Sequence, residues 1–320
     1  MKVLIKICYA SGFMILLACG SKKKKEATSQ KQTLQTTNLL KTNFFQEYSI
    51  SSVVYGTQTT VIIKEGKRQI KTNALPNHET GKFPSKGNPN TIRAQKLNYS
   101  FPLNPKFSGK PKWAREPGIA INGVKFEPET AERFVCETGE VYKIEAFQNL
   151  INLGLDFNNA HVQPTGAYHY HGVPTELIKI LDKGQDLIHI GFAKDGFPIY
   201  YSKKGKYKPS FQLSTKNRTG DACEYKNPKH GMEKELQNTR PDGTFVSDWE
   251  YIHGLGELDE CNGMEVNGSY AYFITEEYPY MSRCLKGIFT EKHRKGPPAG
   301  QHRHNIPRGD HPHDGRPHNH

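Results

Sequence analysis

The chain has 320 residues, a formal net charge of +12 and only 35% apolar residues. Its mean hydropathy of −0.72 is typical of a soluble domain with long polar tails. No dense basic helix or stripe follows the short run Lys22–Lys25, so we expect no nucleic-acid partner. Many aromatic residues, with 29 Gly and 20 Pro, favour strands and turns over helices. We predict a mostly β fold, an antiparallel sandwich or partly open barrel, with one or two short helices and long loops.

The first 19 residues have the layout of a signal peptide. Lys2 and Lys6 precede an apolar stretch over residues 7–17 that is short for a membrane span. Residues 16–19 read Leu-Leu-Ala-Cys and resemble the bacterial lipobox, which implies that Cys19 is lipidated and becomes the new N-terminus. The alternative is an ordinary secretory signal with a chance cysteine. We expect a lipid-anchored protein of the bacterial cell envelope, at the outer membrane, with a flexible tether over residues 20–45.

Short β-rich runs follow the tether at residues 52–55 and 60–63. Residues 73–117 are rich in Pro, Asn and Gly, and we interpret them as an extended loop, which makes residues 46–118 a β-containing, loop-rich extension. The main domain is predicted over residues 119–290. Its predicted strands cover residues 141–146, 187–192, 198–201 and 270–274, and its predicted helices cover residues 147–153 and 175–181.

Four cysteines remain once Cys8 and Cys19 are assigned to the signal and the anchor. Export implies an oxidising compartment, in which four cysteines suggest two disulfides with three possible connectivities. Cys261 and Cys284 flank a hairpin-like segment, so we favour that pair, which leaves Cys136 with Cys223. The rival, a zinc site of four cysteines, lacks a Cys-x-x-Cys pair.

The candidate chemistry centres on residues 168–171, which read Tyr-His-Tyr-His. In a strand, His169 and His171 point to one face, where two imidazoles can bind one metal ion, while Tyr168 and Tyr170 point to the other. A turn at residues 164–166 would fold His161 back as a third ligand. His189, within a predicted strand, is the next candidate.

Several readings of this cluster stay open. A divalent transition metal, zinc or copper, could simply be bound, or it could activate water or oxygen with Asp195 or Glu260 as general base. Further carboxylate candidates are Asp156 and Asp259. Alternatively, the histidines are hydrogen-bonded strand residues, and a groove with Tyr168 and Tyr170 binds glycan or peptide. A cupin-like motif ending at Glu176 conflicts with the predicted helix start at Pro174–Thr175.

A later segment, residues 268–273, echoes residues 166–171. It keeps both tyrosines, Tyr270 and Tyr272, and lacks both histidines. Over six residues the echo could be chance, or it could indicate two related β-units of which one is equipped for chemistry. After residue 291 the chain is rich in His, Pro, Gly and Arg, which predicts a disordered tail able to bind metals weakly.

The motifs together resemble the YHYH domain family. The resemblance rests on residues 160–161 (Ala-His), 168–171, 191–200 (Gly-Phe-Ala-Lys-Asp-Gly-Phe-Pro-Ile-Tyr) and 258–263 (Leu-Asp-Glu-Cys-Asn-Gly), in that order, and spans about residues 119–289. It implies a domain and no established activity. It adds weight to Asp195, Asp259 and Glu260 as site residues, since these lie inside the family's motifs. The family often has a second Tyr-His-Tyr-His block, and here residues 270–273 read Tyr-Ala-Tyr-Phe. The absence of histidine at Ala271 and Phe273 puts a second histidine site in doubt.

Overall fold

The computed structural model describes residues 46–226 and 232–290. Most of the regular secondary structure in these residues consists of short β-strands. Within these ranges the fold is mostly β and sandwich-like, and none of its sheets closes into a barrel. No helix of these residues is long and apolar enough to cross a membrane. Cys19, the predicted tether over residues 20–45 and the predicted tail over residues 291–320 lie outside the described residues.

Four strands form an antiparallel sheet at the start of the described chain. They are β1 (Tyr48–Ser51), β2 (Gln58–Lys64), β3 (Lys67–Thr72) and β4 (Leu97–Pro102). The strand predicted at residues 52–55 is instead a turn, in which Ser52 Oγ accepts the Tyr55 amide at 3.2 Å and competes with strand pairing. The predicted loop over residues 73–117 likewise contains two strands, β4 and β5 (Phe107–Trp113).

The central sheet has eight strands in the order β10-β11-β7-β6-β12-β13-β19-β18. Their bounds are β6 (Gly118–Ala120), β7 (Lys125–Phe126), β10 (Ala160–Val162), β11 (Tyr168–Tyr170), β12 (Leu187–Ala193), β13 (Pro198–Ser202), β18 (Gly263–Val266) and β19 (Ser269–Ile274). The β1–β4 sheet packs on one face of this sheet, where Tyr48 donates to the Ile121 carbonyl at 2.9 Å and Arg68 lies 4.0 Å from the centre of the Phe192 ring. Side chains from both sheets share the main hydrophobic core.

Smaller sheets flank the central one. They consist of β8 (Arg133–Val135), β9 (Val141–Lys143), β15 (Cys223–Tyr225) and β16 (Glu233–Lys234) in one sheet, β14 (Phe211–Leu213) with β17 (Trp249–Tyr251), and β5 with β20 (Cys284–Gly287). A 3-10 turn covers Val246–Asp248. The cysteines form the favoured pairs, Cys136–Cys223 within a second hydrophobic cluster and Cys261–Cys284 beside the main core.

The described residues contain one α-helix, α1 (Thr175–Leu181), which has the predicted bounds. Its buried face, Leu177, Ile178 and Leu181, joins the main core. The second predicted helix, over residues 147–153, does not form. There Gln148 Oε1 accepts the amides of Leu150 and Ile151 at 2.6 and 2.9 Å, so a side chain replaces the bonds that a helix would make.

The central sheet is built from two equivalent half-units. The first half-unit is β6, β7, β10 and β11, and the second half-unit is β12, β13, β18 and β19. In the first, β6–β7 and β10–β11 are antiparallel pairs, and β7 and β11 are parallel. In the second, β12–β13 and β18–β19 are antiparallel pairs, and β13 and β19 are parallel. The registers also match, since Ala160 and Phe126 flank Tyr170 as Gly263 and Ile199 flank Tyr272. The half-units meet at the antiparallel pair β6–β12, which relates them by a pseudo-twofold axis.

Candidate functional site

The β10–β11 hairpin brings three histidines onto one face of the central sheet. His161 on β10 is directly opposite His169 on β11. His171 follows His169 by two residues and therefore points to the same face. The predicted return of His161 across the turn at residues 164–166 is thus confirmed. We call His161, His169 and His171 the histidine triad.

Local sequence shapes both ends of this hairpin. Before β10, Asp156 Oδ1 accepts the amides of Asn158 at 2.9 Å and Ala160 at 3.3 Å, which turns the chain into the strand. Between the strands, the Gly166 amide donates to the Gln163 carbonyl at 2.8 Å, and Gly166 adopts φ +86°. A β-carbon at that glycine would lie 2.6 Å from the Arg93 side chain, so the turn requires glycine.

The ring nitrogens of the triad converge. His171 Nε2 lies 3.1 Å from His161 Nε2 and 3.0 Å from His169 Nε2. His169 and His171 are 2% and 1% exposed, whereas His161 is partly exposed. Two nitrogens bound to one ion at about 2.1 Å are roughly 3.0 Å apart when the angle at the ion is about 90°. The observed spacing therefore suits one first-row metal ion held by three imidazoles.

Hydrogen bonds set the tautomers of two of these rings. His161 Nδ1 lies 2.7 Å from the Leu153 carbonyl, and His169 Nδ1 lies 3.3 Å from the Ala167 carbonyl. A carbonyl oxygen only accepts, so each Nδ1 carries the proton and each Nε2 keeps a lone pair. Metal-binding histidines usually donate the proton of the nitrogen that does not bind the metal to such a carbonyl or to a carboxylate.

Burial keeps the triad neutral. It holds the pKa of His169 and of His171 well below the usual value, and the neighbouring histidines and Lys125 lower the pKa further. The pKa of His161 is also lowered, first by burial, while its bond to the Leu153 carbonyl acts in the opposite direction. Neutral imidazoles are the form that binds metals, so at neutral pH protons do not compete for the Nε2 atoms.

His171 has a feature that a ligand would explain. The Pro128 backbone partly offsets the lowering of the His171 pKa, yet Nδ1 of this buried ring has no partner in full hydrogen-bonding geometry. Without an ion, its Nε2 can donate one proton toward two neighbouring lone pairs, which leaves Nδ1 as a bare acceptor. A cation between the three Nε2 atoms would instead put the His171 proton on Nδ1, towards the Pro128 backbone. Three protein ligands also leave a coordination position for water or substrate.

The tyrosines of the hairpin do not line a groove. Tyr168 and Tyr170 are completely buried on the opposite face, within the main core. Tyr168 donates to Asp156 at 2.8 Å, and the Tyr170 hydroxyl lies 2.6 Å from His78 Nε2. Their predicted role in binding glycan or peptide is therefore corrected to a role in the core. Sequence reasoning missed His78, because it lies 92 residues before its partner in the chain.

His189, Asp195 and Glu260 are not part of the converging ligand group and have other partners. His189 Nε2 bonds the Gly191 carbonyl at 2.8 Å, within the second half-unit. Asp195 is buried there as well, where it accepts Tyr272 Oη at 2.5 Å and the Gly287 amide at 2.9 Å. Glu260 lies 3.0 Å from Lys286 Nζ. The ligand atoms that converge belong to His161, His169 and His171, so His189 is not a fourth ligand, whereas a role of Asp195 or Glu260 as general base stays a prediction.

Two charged residues that were not predicted as site residues, Lys125 and Glu127, lie beside the triad. Lys125 on β7 is directly opposite His169 on β11, and its charge lowers the pKa of His169 and His171. Lys125 Nζ contacts Glu127 at 2.6 Å, and Glu127 also accepts Gln163 Nε2 at 2.6 Å. Nothing in the spacing of these residues predicts their meeting, because it depends on the parallel pairing of β7 with β11.

The second half-unit repeats the scaffold without the triad. Asp259 accepts the Tyr270 hydroxyl at 2.7 Å, as Asp156 accepts that of Tyr168. Asn262 has φ +57°, and Asn159 has φ +55°. The positions equivalent to the three histidines hold apolar side chains, which pack in a small hydrophobic cluster: Met264, Ala271 and Phe273. The six-residue echo thus belongs to a repeat of the whole four-stranded unit.

Comparison with known proteins gives one match. A family model described as YHYH protein matches residues 98–287, more than half of the chain. No curated protein and no solved structure matches it. The matched residues include both half-units and the histidine triad. The chain therefore belongs to the YHYH protein family.

Proposed function

We propose that this protein binds a divalent transition metal ion through the Nε2 atoms of His161, His169 and His171. The observation that carries the proposal is the convergence of three Nε2 atoms, with His171 Nε2 at 3.1 and 3.0 Å from the other two. Neutral imidazole ligands suit zinc, copper, iron and nickel. Zinc and copper are our first candidates, and a water or a substrate would complete the coordination.

The test is the metal content of the chain from residue 20 onward. After loading with zinc or copper and desalting, we expect the unmutated protein to retain about one equivalent more than the His169→Ala/His171→Ala variant. Subtracting the variant removes whatever the histidines of the tail retain. His253→Ala, a change at an exposed histidine, serves as the matched control and should retain as much metal as the unmutated protein. Equal metal content in the unmutated protein and the double variant would refute the proposal.

We also propose that the protein is attached to the bacterial envelope by a lipid on Cys19, at the outer membrane. The lipobox-like residues 16–19 support this, and the two disulfides are in keeping with an oxidising compartment. Expressed in a bacterial host, the protein should yield an N-terminal peptide that begins at Cys19 and carries the mass of acyl chains. A peptide that begins elsewhere without added mass would contradict the anchor.

A further inference from the structure

The two half-units differ on the face that carries the histidine triad. In the first half-unit this face also carries Lys125, Glu127 and Gln163, which we call the Lys125 cluster. Lys125 and Glu127 have side chains only 6% and 2% exposed. Lys125 Nζ donates to Glu116 at 2.8 Å and to Gln163 at 3.0 Å, and it forms an ion pair with Glu127 at 2.6 Å. Glu127 is further bound by Arg115 Nε at 2.9 Å.

The second half-unit shows that the fold forms without such a cluster. The matched registers place Pro198 and Tyr200 at the positions of Lys125 and Glu127, and Val266 at that of Gln163. Tyr200 and Val266 pack with Met264 and Phe273 around Leu258 and Ala271. The histidines at the ligand positions and the charged and amide side chains at the cluster positions thus occur together in the first half-unit, and neither set occurs at the equivalent positions of the second.

Burying an ion pair carries a large desolvation penalty, and apolar residues of similar volume often stabilise a fold equally well. The second half-unit has uncharged residues, Pro198, Tyr200 and Val266, at the equivalent positions within the same chain. The need for Lys125 and Glu127 therefore comes from something that only the first half-unit does. The feature that distinguishes it on this face is the convergence of three imidazoles.

We propose that Lys125, Glu127 and Gln163 are positioning residues of the metal site. Gln163 directly follows β10, and Lys125 lies on β7, so their contact joins the strands on either side of β11. This bridge holds His161 on β10 at a constant distance from His169 and His171 on β11. The inference rests on the proposed metal binding, because it assigns these residues a role toward that ion.

The test compares metal affinity with folding. In the Lys125→Met/Glu127→Leu variant, we expect the dissociation constant for Zn²⁺, measured by chelator competition, to rise roughly 10- to 100-fold, as for other outer-shell changes. The Co²⁺-loaded variant should show an altered visible absorption spectrum, which reports the coordination geometry. Melting of the metal-free variant should remain cooperative, since uncharged residues occupy the equivalent positions of the second half-unit.

Lys286→Met is the matched control. Lys286, on β20, is also mostly buried, and its ammonium lies 2.9 Å from Asp259 and 3.0 Å from Glu260, which precede β18 of the second half-unit. Its loss should leave the Zn²⁺ affinity unchanged. A folded Lys125→Met/Glu127→Leu variant with the affinity and Co²⁺ spectrum of the unmutated protein would overturn this inference. If that variant does not fold, Gln163→Leu decides by the same two measurements. If the unmutated protein binds no Zn²⁺ or Co²⁺, the proposed function itself fails.

Discussion

His169 and His171 are buried where a charged imidazole would be poorly solvated, and this links the stability of the protein to pH. Their pKa values are low in the folded state and close to about 6.5 in the unfolded chain. Between these values the unfolded state binds more protons than the folded state. The contribution of these histidines to the free energy of unfolding is therefore at its maximum above about pH 6.5, and it decreases as the pH falls. Each such histidine adds up to about 1.4 kcal/mol per pH unit to this slope.

We therefore expect the metal-free protein to lose stability between about pH 6.5 and pH 5 more steeply than the His169→Asn/His171→Asn variant. The difference in slope should approach about 2.7 kcal/mol per pH unit, which is the contribution of two groups. Urea unfolding at a series of pH values, with a chelator present, measures both slopes. Identical slopes would show that these histidines are not held neutral by the fold.

For single residues, the sequence predicted those placements that depend on residues close together in the chain. Alternation placed His169 and His171 on one face, and the turn at residues 164–166 returned His161 to them. His189 was proposed on its strand position alone, which does not specify the distance between β12 and β11. Lys125 could not be found in this way, because its position beside His169 is set by parallel pairing of strands more than 40 residues apart.

The elements that hold the triad begin with an aspartate turn, which occurs once in each half-unit. Asp156 binds backbone amides and the Tyr168 hydroxyl in the first, and Asp259 binds the equivalent groups in the second. Both turns connect a loop to the outer strand of a hairpin. The first of these strands carries His161, and the second carries Met264.

Replacing either aspartate by alanine should lower the free energy of unfolding by about 2 kcal/mol, because buried donors lose their acceptor. Only Asp156→Ala should also weaken Zn²⁺ binding, since β10 carries His161 of the proposed site and β18 carries Met264 at the equivalent position. Urea unfolding and chelator competition on both variants separate these effects. Equal Zn²⁺ affinity in the two variants would argue against a role of the Asp156 turn in placing His161.

The predicted strands and helix were correct where no polar side chain formed a hydrogen bond with the nearby backbone. The strands over residues 187–192 and 198–201 lie within β12 and β13, and α1 has the predicted bounds. The predictions at residues 52–55 and 147–153 were wrong because Ser52 and Gln148 bond the nearby backbone, an effect that hydrophobic periodicity does not report. In both cases a polar side chain two or three residues away decided the local structure.

For the whole molecule, the sequence predicted the fold class and the order of the motifs, whereas the arrangement of the central sheet was beyond it. The echo between residues 166–171 and 268–273 is the visible part of a repeat that includes four strands on each side. The remaining strands of the repeat share few residue types, because the second half-unit carries an apolar cluster where the first carries polar groups. Matching hydrogen bonds and registers, which only the structure supplies, reveal the equivalence.

The pairing of Gly118–Ala120 with Gly191–Ala193 joins the half-units about the pseudo-twofold axis. Contacts of this kind are isologous, since each side presents the same surface, and they are the contacts on which symmetric homodimers are built. In form, the central sheet is a dimer fused into one polypeptide. Fusion lets the two subunit equivalents diverge independently, which a true homodimer cannot do. One of them carries the histidine triad, and the other has apolar side chains at the three equivalent positions.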